Sequence, residues 1–130
     1  MQKDFNKWNT KKKQIDAKEA RLFFHQGEIW WVNLGLNIGY EMNGKGDEYM
    51  RPVIILKKYN EFSFLALPLS TSKKINQYKI SVGVVDGKEA CASLSQMRNI
   101  DSKRLINRVG YIKAPLFSEI KKKASRVNLD

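Results

Sequence analysis

Apolar positions along the chain follow two periodicities. Residues 4–22 bring Phe5, Trp8, Ile15 and Leu22 near one face of a helix, with lysines over the remainder. Leu22, Phe23 and Phe24 are placed to staple that helix to whatever follows. From Gly27 the pattern changes to that of strands. Strands are predicted at 29–34, 53–57, 62–67, 78–85, 88–94 and 109–112. Pro68 is expected to end the third of these. Asp86-Gly87 between two apolar runs is the strongest hairpin signal in the chain. Gly35, Gly39, Gly44 and Gly46 make the stretch 35–50 too glycine-rich for regular structure, so a long loop is expected there. A single helical turn is predicted at 101–105. Pro115 then opens a C-terminal helix whose stripe is Leu116, Phe117, Ile120, Ala124 and Val127. Short strands so closely spaced predict a mainly β fold, a small antiparallel barrel, and no internal repeat is present. The chain divides on this reading into a basic helical extension, 1–26, and a single barrel domain, 27–130.

Composition narrows the class. Hydrophobic residues make up 42% of the 130, enough for one packed domain. No apolar run approaches the roughly 18 residues that cross a bilayer, and the N-terminus lacks an apolar signal core. A single cysteine, Cys91, excludes an intramolecular disulfide and a cysteine zinc site. A cytoplasmic location with no membrane association is expected. The net charge is +11 and unevenly placed. The excess is +4 over residues 1–26, +1 over 27–97 and +6 over 98–130. Basic ends on a near-neutral middle favour a polyanion or an acidic protein as partner, although a lysine-rich surface also serves solubility.

The residues exclude several chemistries. His25 is the only histidine, carboxylates do not cluster at ligand spacing, and no nucleophile motif accompanies them, so neither a metal set nor a triad is expected. Gly44-Lys45-Gly46 lacks the Ser/Thr and helix of a phosphate loop. Arg51 stands out, a guanidinium at the mouth of the core strand RPVIIL, where it is anchored yet near solvent. Its alternative role is an ion pair with Glu41 or Asp47. Ser70-Thr71-Ser72 offers three hydroxyls where a strand leaves the core. Cys91, flanked by alanines, reads as packing. Residues 95–105 mix Gln96, Arg98, Lys103 and Arg104 with apolar positions, as a solvated turn or a groove wall would. Adjacent Trp30 and Trp31 must face opposite sides of their strand, so one packs inward. The other is expected near an interface, and Trp30, Trp31 and Tyr40 are the candidate stacking platforms.

Taken in order, GEIWWVNLG, Gly39-Tyr40-Glu41, RPVIIL at 51–56, LPLSTS at 67–72 and SQMRNIDSKRL at 95–105 resemble the MazF/PemK toxins, the ribonuclease halves of type II toxin–antitoxin modules. The resemblance covers roughly residues 26–127. It implies an SH3-like antiparallel barrel of the CcdB/Kid type with short flanking helices, assembled as a two-fold homodimer. It implies sequence-specific, metal-independent cleavage of single-stranded RNA without any cofactor, arresting growth. It also implies an antitoxin whose acidic, disordered tail crosses the RNA groove. Matched motif by motif, Arg51 falls on the catalytic arginine, Ser70 on the catalytic Thr/Ser, and Glu41 on the glutamate of the Gly-x-Glu loop. Gln96 and Arg98 fall on the Gln-x-Arg groove motif, preceded by Ser95 where some relatives carry a carboxylate. Lys45 and the run Thr71, Ser72, Lys73 complete the expected RNA contacts. Met42 replaces a common Gln, and the loop before Arg51 is longer than the shortest family pattern.

The expected reaction is internal attack by the ribose 2′-hydroxyl, leaving a 2′,3′-cyclic phosphate and a 5′-hydroxyl. Arg51 would meet the phosphorane charge, Ser70 would hydrogen-bond a phosphate oxygen, and Glu41 would act as base or orient Arg51. A gyrase-poisoning toxin of the same fold, a non-catalytic RNA-binding barrel and a peptide-binding SH3-like adaptor, which the lysine-rich surface disfavours, are the alternatives.

Overall fold

The structure, a computed structural model, describes residues 3–18, 20–35, 43–44, 49–71 and 76–130. The predicted barrel is present as one curled antiparallel sheet with a helix at each end of the chain. The elements are α1 (Phe5–Asp16), β1 (Glu28–Asn33), β2 (Met50–Lys58), β3 (Ser63–Ser70), β4 (Lys79–Val85), β5 (Lys88–Ser93), β6 (Arg98–Asp101), β7 (Leu105–Tyr111) and α2 (Ala114–Leu129). The strands run β4-β5-β3-β2-β1-β7, with β6 pairing beside β3.

β2 and β3 read as continuous apolar runs because both of their faces are covered. Val53 and Ile55 join Phe24, Trp30, Val32, Leu34, Phe64 and Ala66 in one core. Ile54 and Leu56, one residue out of phase, join Ile29, Leu67, Leu69, Ala92 and Leu94 in the other, which α2 closes with Ile120 and Ala124. Alternation at period two sends successive side chains to opposite faces, so a strand between two cores has no polar face. In α2, Pro115 sits in the first turn, and Leu116, Phe117 and Val127 pack partly buried on the same core, as the stripe predicts.

The Asp86-Gly87 hairpin forms as expected, Val85 pairing with Lys88 around a two-residue turn. Both turn residues have positive φ, 50° and 80°, the backbone of a type I′ turn. A Cβ added at Gly87 meets nothing within 4 Å. Gly87→Ala is therefore expected to cost only backbone strain, about 1–2 kcal/mol, seen as a lower urea midpoint with unchanged slope. A loss above twice that would require a contact that is not there.

Four expectations need correction. The first helix ends at Asp16, with Ala17 as C-cap, and does not run to residue 22. Beyond it Arg21 Nη1 donates to Asp101 Oδ1 (2.6 Å), Ser102 Oγ (2.7 Å) and Phe62 O (3.2 Å). Those contacts hold the chain extended and deliver Phe24 to the core, overriding local helix propensity. Leu22 and Phe23 are consequently exposed, and only Phe24 staples, its ring 5.0 Å from that of Phe64. Pro68 does not end its strand but pairs with Val53 inside β3. It falls where β3 changes neighbour, β6 pairing as far as Ala66 and β5 from Leu69, so its missing N–H breaks no ladder on that side. Residues 98–101, read as turn or groove wall, form β6. The single helical turn expected at 101–105 is present, as the 3-10 turn Ser102–Arg104.

Candidate active site

The candidate site gathers where β2 begins and β3 ends. Arg51 stands opposite Val32 of β1. Pro52 follows it, paired with Trp31 and just past the last β2–β3 pair, so its lack of a donor disturbs nothing toward β3. That last pair is Val53 with Pro68, and two further steps of the same register bring Arg51 against Ser70. The antiparallel ladder thus converts a separation of 19 positions in the sequence into neighbourhood.

Arg51 is only 8% exposed and is fixed from two sides. Its Nε donates to Asn43 O (2.7 Å) and its Nη1 to Leu69 O (3.0 Å). Both acceptors are neutral carbonyls, so these bonds orient the guanidinium without cancelling its charge. Burial pushes its pKa below the ordinary arginine value, yet arginine remains charged across the physiological range.

Arg51, Ser70 and Thr71 line a cavity of about 430 Å³ with Trp31, Pro52, Leu69, Val85, Asp86, Lys88 and Ala90. Ser70 also lines a neighbouring cavity of about 250 Å³ with Asn76, Tyr78, Lys79, Ser93, Ser95 and Gln96. Ser70 therefore sits on the wall between the two, and four other candidate residues, Arg51, Thr71, Ser95 and Gln96, gather around it. Arg98 stands apart, opening β6 opposite Ala66 and near enough to Arg104 to help lower that residue's pKa, after burial. Glu41, Lys45, Ser72 and Lys73 lie outside the described residues, as do Tyr40, Met42 and Asp47, and with them the alternative Arg51 ion pair. The two tryptophans divide as expected. Trp30 is buried, whereas Trp31 lines the larger cavity and donates from Nε1 to Asp86 Oδ2 (3.0 Å). Cys91 is half-buried in β5 opposite Ser70.

Asp86 and Lys88 are the site residues that the sequence did not announce. The Asp-Gly pair signals a hairpin turn, but nothing local says that its tip lies beside Trp31 and the start of β2. Lys88 adds a second cation to the cavity that holds Arg51. Among the described residues, no group of three or more His, Cys, Asp or Glu side chains is gathered closely enough to hold a metal ion.

A family model of the PemK-like, MazF-like toxins of type II toxin–antitoxin systems matches residues 25–127. The chain belongs to this family. Solved MazF-like structures share the fold. MazF from Deinococcus radiodurans superposes with a TM-score of 0.68 at 20% identity, covering 80% of this chain and 94% of that one. The toxin MazF-mt6 of Mycobacterium tuberculosis gives 0.57 at 19% identity, covering 79% and 98%. An endoribonuclease from a mycobacterial species, solved with its cognate antitoxin, gives 0.61 at 12% identity, covering 83% and 98%. No curated protein sequence matches the chain significantly. The PemK/MazF-like region begins after α1, so the first helix lies outside what the family model describes.

Proposed function

We propose that this MazF-like toxin is an endoribonuclease that cuts single-stranded RNA at particular short sequences by attack of the 2′-hydroxyl on the adjacent phosphorus. The observation that carries the reading is the placement of Arg51 and Ser70 together on the wall of one cavity, at the end of the β2–β3 ladder of a MazF-like sheet.

The ribose supplies its own nucleophile, so the protein's task is to hold the phosphate and receive charge. Arg51, rigidly held, faces the two non-bridging oxygens as the phosphorane forms. Its affinity for them rises as negative charge accumulates, which is what lowers the barrier. Ser70 donates a hydrogen bond to a phosphate oxygen from the next strand. Glu41, assigned by its motif, takes the 2′-proton or orients Arg51. The leaving 5′-oxygen recovers a proton from solvent or from Arg51, of which solvent is the better donor given arginine's high pKa. Thr71, Ser95 and Gln96 flank Ser70 and read flanking unpaired bases, because an A-form duplex hides its base edges, and Lys45, Ser72, Lys73 and Arg98 are assigned to RNA contact by their motifs alone. The toxin acts as a homodimer in the cytoplasm and is held in check by an acidic antitoxin, as the mycobacterial endoribonuclease was captured with its own.

Purified protein incubated with a long defined RNA in EDTA is expected to give discrete bands at a recurring short sequence. Each 3′ fragment should carry a 5′-hydroxyl and each 5′ fragment a 2′,3′-cyclic phosphate. Bands that require magnesium would overturn the mechanism. Intact RNA beside trapped gyrase–DNA cleavage complexes would overturn the substrate.

A further inference from the structure

The helix outside the family match nevertheless packs against Tyr49 and Gly35, whose backbone leads to the candidate site. Trp8 and Ile15 of α1 are buried in a small core of their own with Tyr49. The rings of Trp8 and Tyr49 lie 5.1 Å apart at 59°. Trp8 also rests on Gly35, whose missing side chain makes room for it, since a Cβ there would fall 2.2 Å from the indole. On its other side Arg104 lies 5.6 Å above the indole while Nη1 donates to Asn33 O (3.0 Å). The helix is tied further by Lys103 Nζ to Asp16 O and Lys18 Nζ to Lys103 O, both 3.0 Å.

What Trp8 covers is a knot of backbone bonds that ends on Arg51. Tyr49 O accepts from Leu34 N (2.8 Å) and Gly35 N (3.2 Å), and Gly35 O accepts from Gly44 N (2.7 Å). Asn43, next to Gly44, supplies the carbonyl that holds Arg51 Nε. Tyr49 itself has φ +54°, a left-handed conformation that costs a bulky residue about 1 kcal/mol or more and persists only where surroundings enforce it. Trp8, packed against its ring, and the two amides bonded to its carbonyl are the surroundings that hold it.

We propose that α1 is a positioning element for Arg51. Trp8 clamps Gly35 and Tyr49, the clamped backbone fixes Asn43, and Asn43 fixes the guanidinium. The catalytic half of this inference rests on the ribonuclease reading. The structural half stands without it.

Trp8→Ala in the full chain tests both. Amide exchange at Leu34, Gly35 and Gly44 is expected to quicken by about tenfold or more, while amides of 53–55 keep their protection. The kcat for RNA is expected to fall by about tenfold to 10²-fold with KM within about twofold, as loss of alignment without loss of binding requires. Trp8→Phe should restore most of both. If Trp8→Ala does not fold, Ile15→Ala, at the far end of the same core, should move exchange and kcat in the same direction by less. Unchanged exchange in folded variants overturns the clamp. Quickened exchange with kcat within about twofold of wild type overturns the positioning role. Should the wild-type protein leave RNA intact, the ribonuclease proposal falls. The clamp is then judged by exchange and by the Arg51 Nε–H resonance, whose persistence in Trp8→Ala would overturn it.

Discussion

Arg51→Ala is expected to lower RNA cleavage by about 10²–10³-fold while the protein still folds, because it removes a fixed charge from the place where charge develops. The size follows from how the side chain is held. Two carbonyl contacts, to Asn43 and Leu69, set the plane of the guanidinium before substrate arrives, so little reorganisation is needed at the transition state. The structural loss is about 3–6 kcal/mol for two hydrogen bonds from a charged donor, set against a sheet with two separate cores. Arg51→Lys should recover little, since an ammonium cannot bridge the two carbonyls and a phosphate together. Cleavage by folded Arg51→Ala within threefold of wild type would defeat the assignment. So would a rate loss accompanied by unfolding alone, read by circular dichroism on the same samples.

Much of this architecture was legible because local chemistry and the global fold agree. The Asp-Gly turn, the doubly apolar β2 and the proline-led stripe of α2 each require their structure irrespective of distant residues. The candidate site was legible through motifs, and the register of a single ladder explains why residues 51 and 70 meet. What escaped depends on pairing at long range. Residues 17–22 favour helix by composition, yet Arg21 is claimed by Asp101 and Ser102, 80 and 81 positions away. Pro68 looks like a terminator until one knows that β3 exchanges β6 for β5 beside it. Asp86 and Lys88 enter the cavity only because the hairpin curls over the sheet's end. The role of α1 was invisible for the same reason, since a tryptophan eight residues from the start carries no sign of the glycine it will cover.

Glu28→Ala is expected to destabilise the fold by about 3 kcal/mol, the usual cost of stripping a buried charged hub from its donors. Glu28 is 8% exposed and opens β1, directly after the turn at Gly27. Its Oε1 accepts from His25 N (2.6 Å) and Trp30 Nε1 (3.1 Å), and its Oε2 from Arg108 Nη1 of β7 (3.0 Å). Truncation leaves an indole N–H facing the core without an acceptor, together with a backbone amide. Burial by itself would raise the carboxyl pKa, but bonds from Trp30, His25 and Arg108, with the charge on His25, outweigh it and hold the pKa below the ordinary 4.5. The sign of the pH dependence follows. A carboxylate with a depressed folded pKa adds stability that is complete above the unfolded value and lost as pH falls through the folded one. The melting temperature of Glu28→Ala should therefore lie roughly 6–12 °C below wild type at pH 7. That gap should narrow as wild type is titrated below 4.5, where its own carboxylate takes up a proton. An equal gap at pH 7 and pH 3 would show that packing, and not the ionised hub, carries the effect. A gap near zero at pH 7 would show that the Glu28–Arg108 contact adds nothing to the β1–β7 ladder.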